Sequence, residues 1–77
     1  MGTQQASGIL DRGLSLLKSL ARRPDGMTIA SMAEVLGLHR SSVYRYLNPL
    51  LSRSFVSKQS DGSYELGSRV LELASLK

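Results

Sequence analysis

Residues 36–53 read "LGLHRSSVYRYLNPLLSR" and set a glycine, a cluster of hydroxyl and basic side chains, and a row of leucines side by side. Gly37 enters the left-handed backbone region without steric cost, so it ends the helix before it. After it Val43, Tyr46, Leu47, Leu50 and Leu51 recur three or four apart, which places them on one side of a helix over about residues 40–53. At 100° per residue the opposite side collects Ser41, Arg45, Asn48 and Ser52, with Ser42 and Pro49 beside them. Pro49 removes one backbone donor and crowds the carbonyl of Arg45, so a kink is expected there.

Upstream, Thr28 is placed to N-cap a helix in which Ile29, Met32, Ala33 and Leu36 fall at i, i+3, i+4 and i+7. Two helices joined by a short turn containing glycine form a helix-turn-helix, whose second helix can enter a major groove. Before it, "RRPDGM" reads as a reversal built on Pro24, Asp25 and Gly26. Leu10, Leu14, Leu17, Leu20 and Ala21, with Gly13 among them, predict a first helix ending near Ala21 with that stripe facing the core. Ile9 and Leu16 fall beside the stripe, a surplus that fits contact with a second subunit. Residues 1–8 are small and polar and read as a disordered start or an expression remnant.

Downstream, "FVSKQ" has the make-up of a strand, "SDGS" that of a tight turn, and "YEL" pairs back, giving a small hairpin. From Ser68, which is placed as a cap, "SRVLELASLK" is helical again, with apolar residues around much of its axis. A helix so apolar must pack against something, and a chain that stops within it reads as a fragment. The expected fold is mainly α: a winged helix-turn-helix with a three-helix core, a short β-hairpin wing and a C-terminal linker helix. Residues 9–67 form that domain, and 68–77 begin a linker to an absent effector-binding domain.

The chain has 77 residues, one histidine, no cysteine and a net charge of +4. That length allows one small core, and without cysteine there is no disulfide and no thiolate. A cytoplasmic setting fits. No apolar run approaches the roughly 18 residues of a membrane span, so no membrane partner is expected. From Val35 to Ser60 the charged residues are Arg40, Arg45, Arg53 and Lys58, with no acidic residue, and those four equal the whole net charge. Six scattered carboxylates and one histidine leave no nucleophile, base and orienter set, so an enzyme is not expected, and neither is a cofactor or a metal.

With the leucine row buried, the polar side of the helix from residue 40 faces out. Base edges and phosphates of duplex DNA suit it. Arg40 and Arg45 carry planar donor forks for guanine edges or phosphate, and Ser41 and Ser42 donate to either. Arg45 has Ser41 and Pro49 at i−4 and i+4, so no acidic neighbour explains it as an intrahelical pair. His39 at the helix entry, Tyr44 at the flank and Asn48 one turn on are further candidates. Thr28 offers its hydroxyl or the amides of its helix to phosphate, and Lys58 with Gln59 on the wing can follow the backbone or a minor groove. Arg53, at the far end, is a solvated charge favoured by the helix dipole. A winged helix that binds protein is the alternative, and the basic, polar character of the exposed side speaks for DNA.

The stretch from Ile9 to Ala74 resembles the N-terminal winged helix-turn-helix of IclR-type bacterial transcriptional regulators. The family's "LGL, two residues, S, S or T, V, any, R, any, L" corresponds to Leu36–Leu47, and its wing signature to Tyr64, Glu65, Leu66 and Gly67. The resemblance implies a recognition helix in the major groove, with Ser41, Ser42 and Arg45 inheriting the reading role. It also implies homodimers on palindromic operators and a C-terminal domain that senses a small-molecule effector. The surplus of apolar residues on the first and last helices is the expected dimer contact. Two residues depart from the family pattern: Pro49 interrupts a usually unbroken helix, and Ser54 replaces the usual glycine before "FV", where a strained or differently shaped turn into the wing is expected.

Overall fold

A computed structural model describes residues 8–76. Its elements are α1 (Ile9–Ala21), α2 (Ile29–Leu36), α3 (Arg40–Ser52), β1 (Val56–Lys58), β2 (Tyr64–Leu66) and α4 (Ser68–Ser75). This is the mainly α winged helix-turn-helix expected from the sequence. The core gathers Leu16 and Leu20 from α1, Met32 and Ala33 from α2, Val43 and Leu47 from α3, and Val56 and Tyr64 from the wing, with Met27 between α1 and α2.

The register of α1 differs from expectation. Leu16 and Leu20 are 1% and 2% exposed, whereas Leu10 and Leu14 are 75% and 51% exposed and Ala21 also faces out. Two apolar sides adjoin on this helix, and the wheel alone does not choose between them. The choice follows from its neighbours: α1 rests on α2, α3 and β2 together, and its C-terminal half presents Leu16, Leu17 and Leu20 to them. Leu16, expected at a subunit contact, is therefore a core residue. The N-terminal boundary moves too. Gly8, expected to lie in the disordered start, is the N-cap of α1, and its carbonyl accepts from the N–H of Arg12 at 3.1 Å. The rest of that stretch, residues 1–7, lies outside the described residues.

α2 forms as expected. Thr28 Oγ1 accepts from the N–H of Ser31 at 3.1 Å and satisfies one orphan donor of the first turn. At the other end Gly37 has φ 69°, and the N–H groups of Gly37 and Leu38 close on the carbonyls of Glu34 and Ala33. Only a residue tolerant of positive φ makes that reversal cheaply, which is why α3 starts where it does.

α3 continues through Pro49 to Ser52, so the proline does not end it early. It sits in the last turn, where its missing N–H leaves the Arg45 carbonyl without its i+4 helical donor. The chain leaves α3 through Ser54, whose φ of 65° makes it the one non-glycine residue with positive φ among those described. Its N–H bonds Leu51 O at 3.1 Å and that of Phe55 bonds Leu50 O at 2.9 Å, a helix ending of the kind that favours glycine at the left-handed position. The strain expected from the departure at this residue is present.

The wing pairs β1 with β2 antiparallel in the register Val56↔Leu66, Ser57↔Glu65 and Lys58↔Tyr64. Its strands are shorter than "FVSKQ" suggested, because the turn starts at Gln59: the N–H of Gly62 bonds Gln59 O at 3.0 Å and that of Gln59 bonds Ser63 O at 2.7 Å. Met27 adds a third row, exchanging two 2.8 Å backbone bonds with Tyr64. At the exit, Gly67 is the N-cap of α4, so Ser68 is its first residue rather than its cap. Gly67 is required for room, since a Cβ there would collide with the Ser54 carbonyl. α4 ends at Ser75 and buries none of its side chains; Leu71, Leu73 and Leu76 are exposed.

Candidate nucleic-acid interface

Burial of Val43 and Leu47 fixes the rotation of α3. With those two side chains fully covered, Ser41 and Arg45, one turn apart, are exposed on the far side. Arg40, Tyr44 and Asn48 are exposed beside them and Ser42 is half-buried. Among the described residues neither Arg40 nor Arg45 pairs with a carboxylate; the ion pair found is Arg69 with Glu72 at 3.2 Å, on α4. Two arginine forks thus stand in solvent without an internal partner to neutralise them.

His39 is the N-cap residue of α3, yet its side chain makes no capping bond and is exposed. Its carbonyl accepts from Ser42 at 3.0 Å and from Val43 at 3.2 Å. The N–H groups of Arg40 and Ser41 therefore point along the axis with no partner among the described residues, at the positive end of the helix dipole. An anion placed there meets amides, hydroxyls and arginines together.

Thr28 at the start of α2 is exposed, but its hydroxyl is occupied. It accepts from the Ser31 amide and donates to Ser31 Oγ at 3.2 Å, so the backbone amides beside it are what the helix start offers an anion. On the wing, Lys58 is exposed with Nζ 5.9 Å from the centroid of the Tyr64 ring, a cation–π contact that holds it near the sheet. Gln59 is directed elsewhere than its sequence position suggested. Its Nε2 donates to Asp25 O at 3.5 Å, and it closes over Gly26, stitching the wing turn to the loop before α2.

Asp61, at the wing tip, accepts from Ser63 Oγ at 2.7 Å and from the Ser63 N–H at 2.9 Å. Those two donors, the hydroxyl first, hold its carboxyl below the ordinary carboxylate range. The negative charge at this tip is thus tied into the turn. No group of three or more metal-binding side chains occurs among the described residues.

Arg12 was not singled out by its sequence position. Its Nη1 donates to Leu36 O at 3.3 Å, and its guanidinium carbon lies 5.9 Å from the centroid of the Tyr46 ring. The separation of 24 positions from Arg12 to Leu36 explains why no local pattern announced the contact.

The profile of the IclR helix-turn-helix domain matches residues 9–60. The chain is 36% identical over 63 residues to the DNA-binding transcriptional repressor YiaJ of Escherichia coli, covering 80% of this chain and 22% of that protein. It is 32% identical over 60 residues to the HTH-type transcriptional regulator TtgV of Pseudomonas putida, covering 77% and 23%. Among solved structures, Pseudomonas aeruginosa HmgR matches with a TM-score of 0.71 at 31% identity, over 79% of this chain and 26% of that one. The Thermotoga maritima IclR structure shares the fold with a TM-score of 0.79 at 24% identity, over 86% and 27%. The chain spans about a quarter of the length of the relatives it matches. Those relatives are transcriptional regulators rather than enzymes. From the first residue of α1 to the turn of the wing, the chain belongs to the IclR family of helix-turn-helix domains.

Proposed function

We propose that residues 9–67 bind duplex DNA sequence-specifically as the DNA-binding domain of a bacterial transcriptional regulator, working in the cytoplasm, with α3 in the major groove. One observation carries this reading: Ser41 and Arg45 stand exposed on the side of α3 opposite its buried ridge, with no carboxylate among the described residues to answer the arginine. In this pose Arg45 and Ser41 reach base edges, while Arg40, Ser42 and the amides at the start of α3 take phosphate. His39, Tyr44 and Asn48 border the same face. The α2 amides at Thr28 and the ammonium of Lys58 on the wing follow the backbone on either side.

A single recognition helix covers one half-site, so affinity calls for two copies on a palindromic operator, about one helical turn apart or a multiple of it. The exposed leucines of α1 and α4 are the surface for that homodimer, and residues 68–77 begin the linker to an effector-binding domain. The greater length of the matched relatives supports that last assignment.

The test is titration of the chain with duplexes selected from a randomised library, across a salt series. Log affinity is expected to fall linearly with log salt, and Arg45→Ala to cost about 1–3 kcal/mol on the selected site. Equal affinity of wild type and Arg45→Ala for that site would remove Arg45 from the reading.

A further inference from the structure

We infer that Arg12 of α1 is a positioning residue for the recognition helix: its guanidinium, bonded to the Leu36 carbonyl and set over the Tyr46 ring, fixes the angle between α2 and α3. It thereby controls sequence discrimination without touching DNA. The inference rests on the DNA-binding reading above.

The contact joins three helices at one point. Leu36 is the last residue of α2, and its carbonyl belongs to the set a helix cannot satisfy internally, at the negative end of the dipole. The last turn of α2 holds no basic residue of its own, so the cation there comes from α1. Gly37 and Leu38, immediately after that carbonyl, form the reversal that sets where α3 begins. Tyr46 lies on α3 itself, about 100° around the axis from Arg45, half-buried against the core. A half-buried guanidinium between these groups resists any change in their separation, because its rigid planar fork cannot follow one partner without leaving the other.

Tyr46 also lines an apolar groove of about 170 Å³ with Leu10, Gly13, Leu14 and Pro49.

The experiment compares the chain with Arg12→Met, Arg12→Lys, Tyr46→Leu and Tyr46→Phe. Each is measured against the best duplex selected by the wild-type chain and against the same duplex with its bases shuffled, at several salt concentrations. Melting temperature is followed in parallel, so that binding is read only where each variant is folded. Arg12→Met and Tyr46→Leu are each expected to lose about tenfold on the selected site, the size of one hydrogen bond to a charged donor. Binding to the shuffled duplex and the salt slope should stay as in wild type. Tyr46→Phe keeps the ring and the affinity, and the double variant Arg12→Met/Tyr46→Leu loses no more than either single one.

Equal losses on both duplexes with a salt slope smaller by about one unit would make Arg12 a phosphate contact and overturn the inference. A lowered melting temperature with unchanged discrimination would make it merely structural and overturn it as well. Residual dipolar couplings without DNA give a second, independent reading, with α3 expected to reorient against α2 in Arg12→Met. Should library selection enrich no sequence, the DNA-binding reading itself fails. The couplings then decide the Arg12 relation alone: a changed orientation supports it and an unchanged one overturns it.

Discussion

Ser54 carries the clearest local cost in the chain. A β-carbon at φ 65° crowds the following carbonyl by roughly 1–2 kcal/mol, and glycine would not. Ser54→Gly is therefore expected to raise stability by up to about 1 kcal/mol, the gain being reduced by the freer unfolded chain, as chemical denaturation will show. Asp61 makes a different prediction. Its carboxyl is held below the ordinary range by Ser63, so the folded pKa is depressed. The turn gains from the ionised form above the unfolded pKa and loses that gain as pH falls through and below about 4. Backbone amide shifts of Ser63 and Gly62 followed on acidification should move in that window, and Asp61→Ala should abolish the movement. The exposed positions of Ser41 and Arg45 on α3 were legible in the sequence because position on a helix follows from period alone. Gln59 and Arg12 were not, since each is decided by a partner more than twenty residues away.

The elements separate by how locally they are specified. α2 has its cap, its period and its terminating glycine within ten residues, and it forms where these place it. Thr28→Ala is expected to cost about 1 kcal/mol by removing the acceptor for the Ser31 amide, measurable as a shift in the denaturation midpoint with unchanged slope. α1 shows the limit of such reasoning. It carries two apolar sides, and only contact with α2, α3 and β2 selects the side of Leu16 and Leu20. Likewise the hairpin is readable from its turn, but the Met27 row joined to it is not, because a single bridging residue leaves no period. The sequence put the cap of α4 at Ser68, whereas Gly67 holds it, and the need of Gly67 for space at the Ser54 carbonyl emerges only when α3 and the wing are brought together.

At the level of the molecule, the outer side of α1 is the main exposed apolar surface apart from α4. Gly13 lies on it in mid-helix, a position where glycine costs about 0.5–1 kcal/mol against alanine, and a Cβ there would meet nothing within 4 Å. Among the described residues no contact requires that glycine. Gly13→Ala is thus expected to stabilise the monomer by about that amount and, if the side of Leu10 and Leu14 is the dimer contact, to weaken self-association. Leu14→Glu should abolish association without unfolding the chain, because the residue lies outside the core. Analytical ultracentrifugation beside thermal melting separates the two effects. Self-association that survives Leu14→Glu would move the dimer surface away from α1.

By itself the sequence determined what depends on near neighbours: three amphipathic helices, a turn closed at Gly37, a hairpin, and a basic, acid-free stretch laid along the outer side of the third helix. Period and backbone preference act over a few residues, so they are visible in a string. The tertiary structure alone decided which side of α1 is buried, how the Met27 row extends the wing, where Gln59 goes, and that Arg12 joins the end of α2 to α3. Those outcomes depend on which of several chemically adequate partners arrives within bonding distance once the core closes, and a local pattern carries no record of that distance.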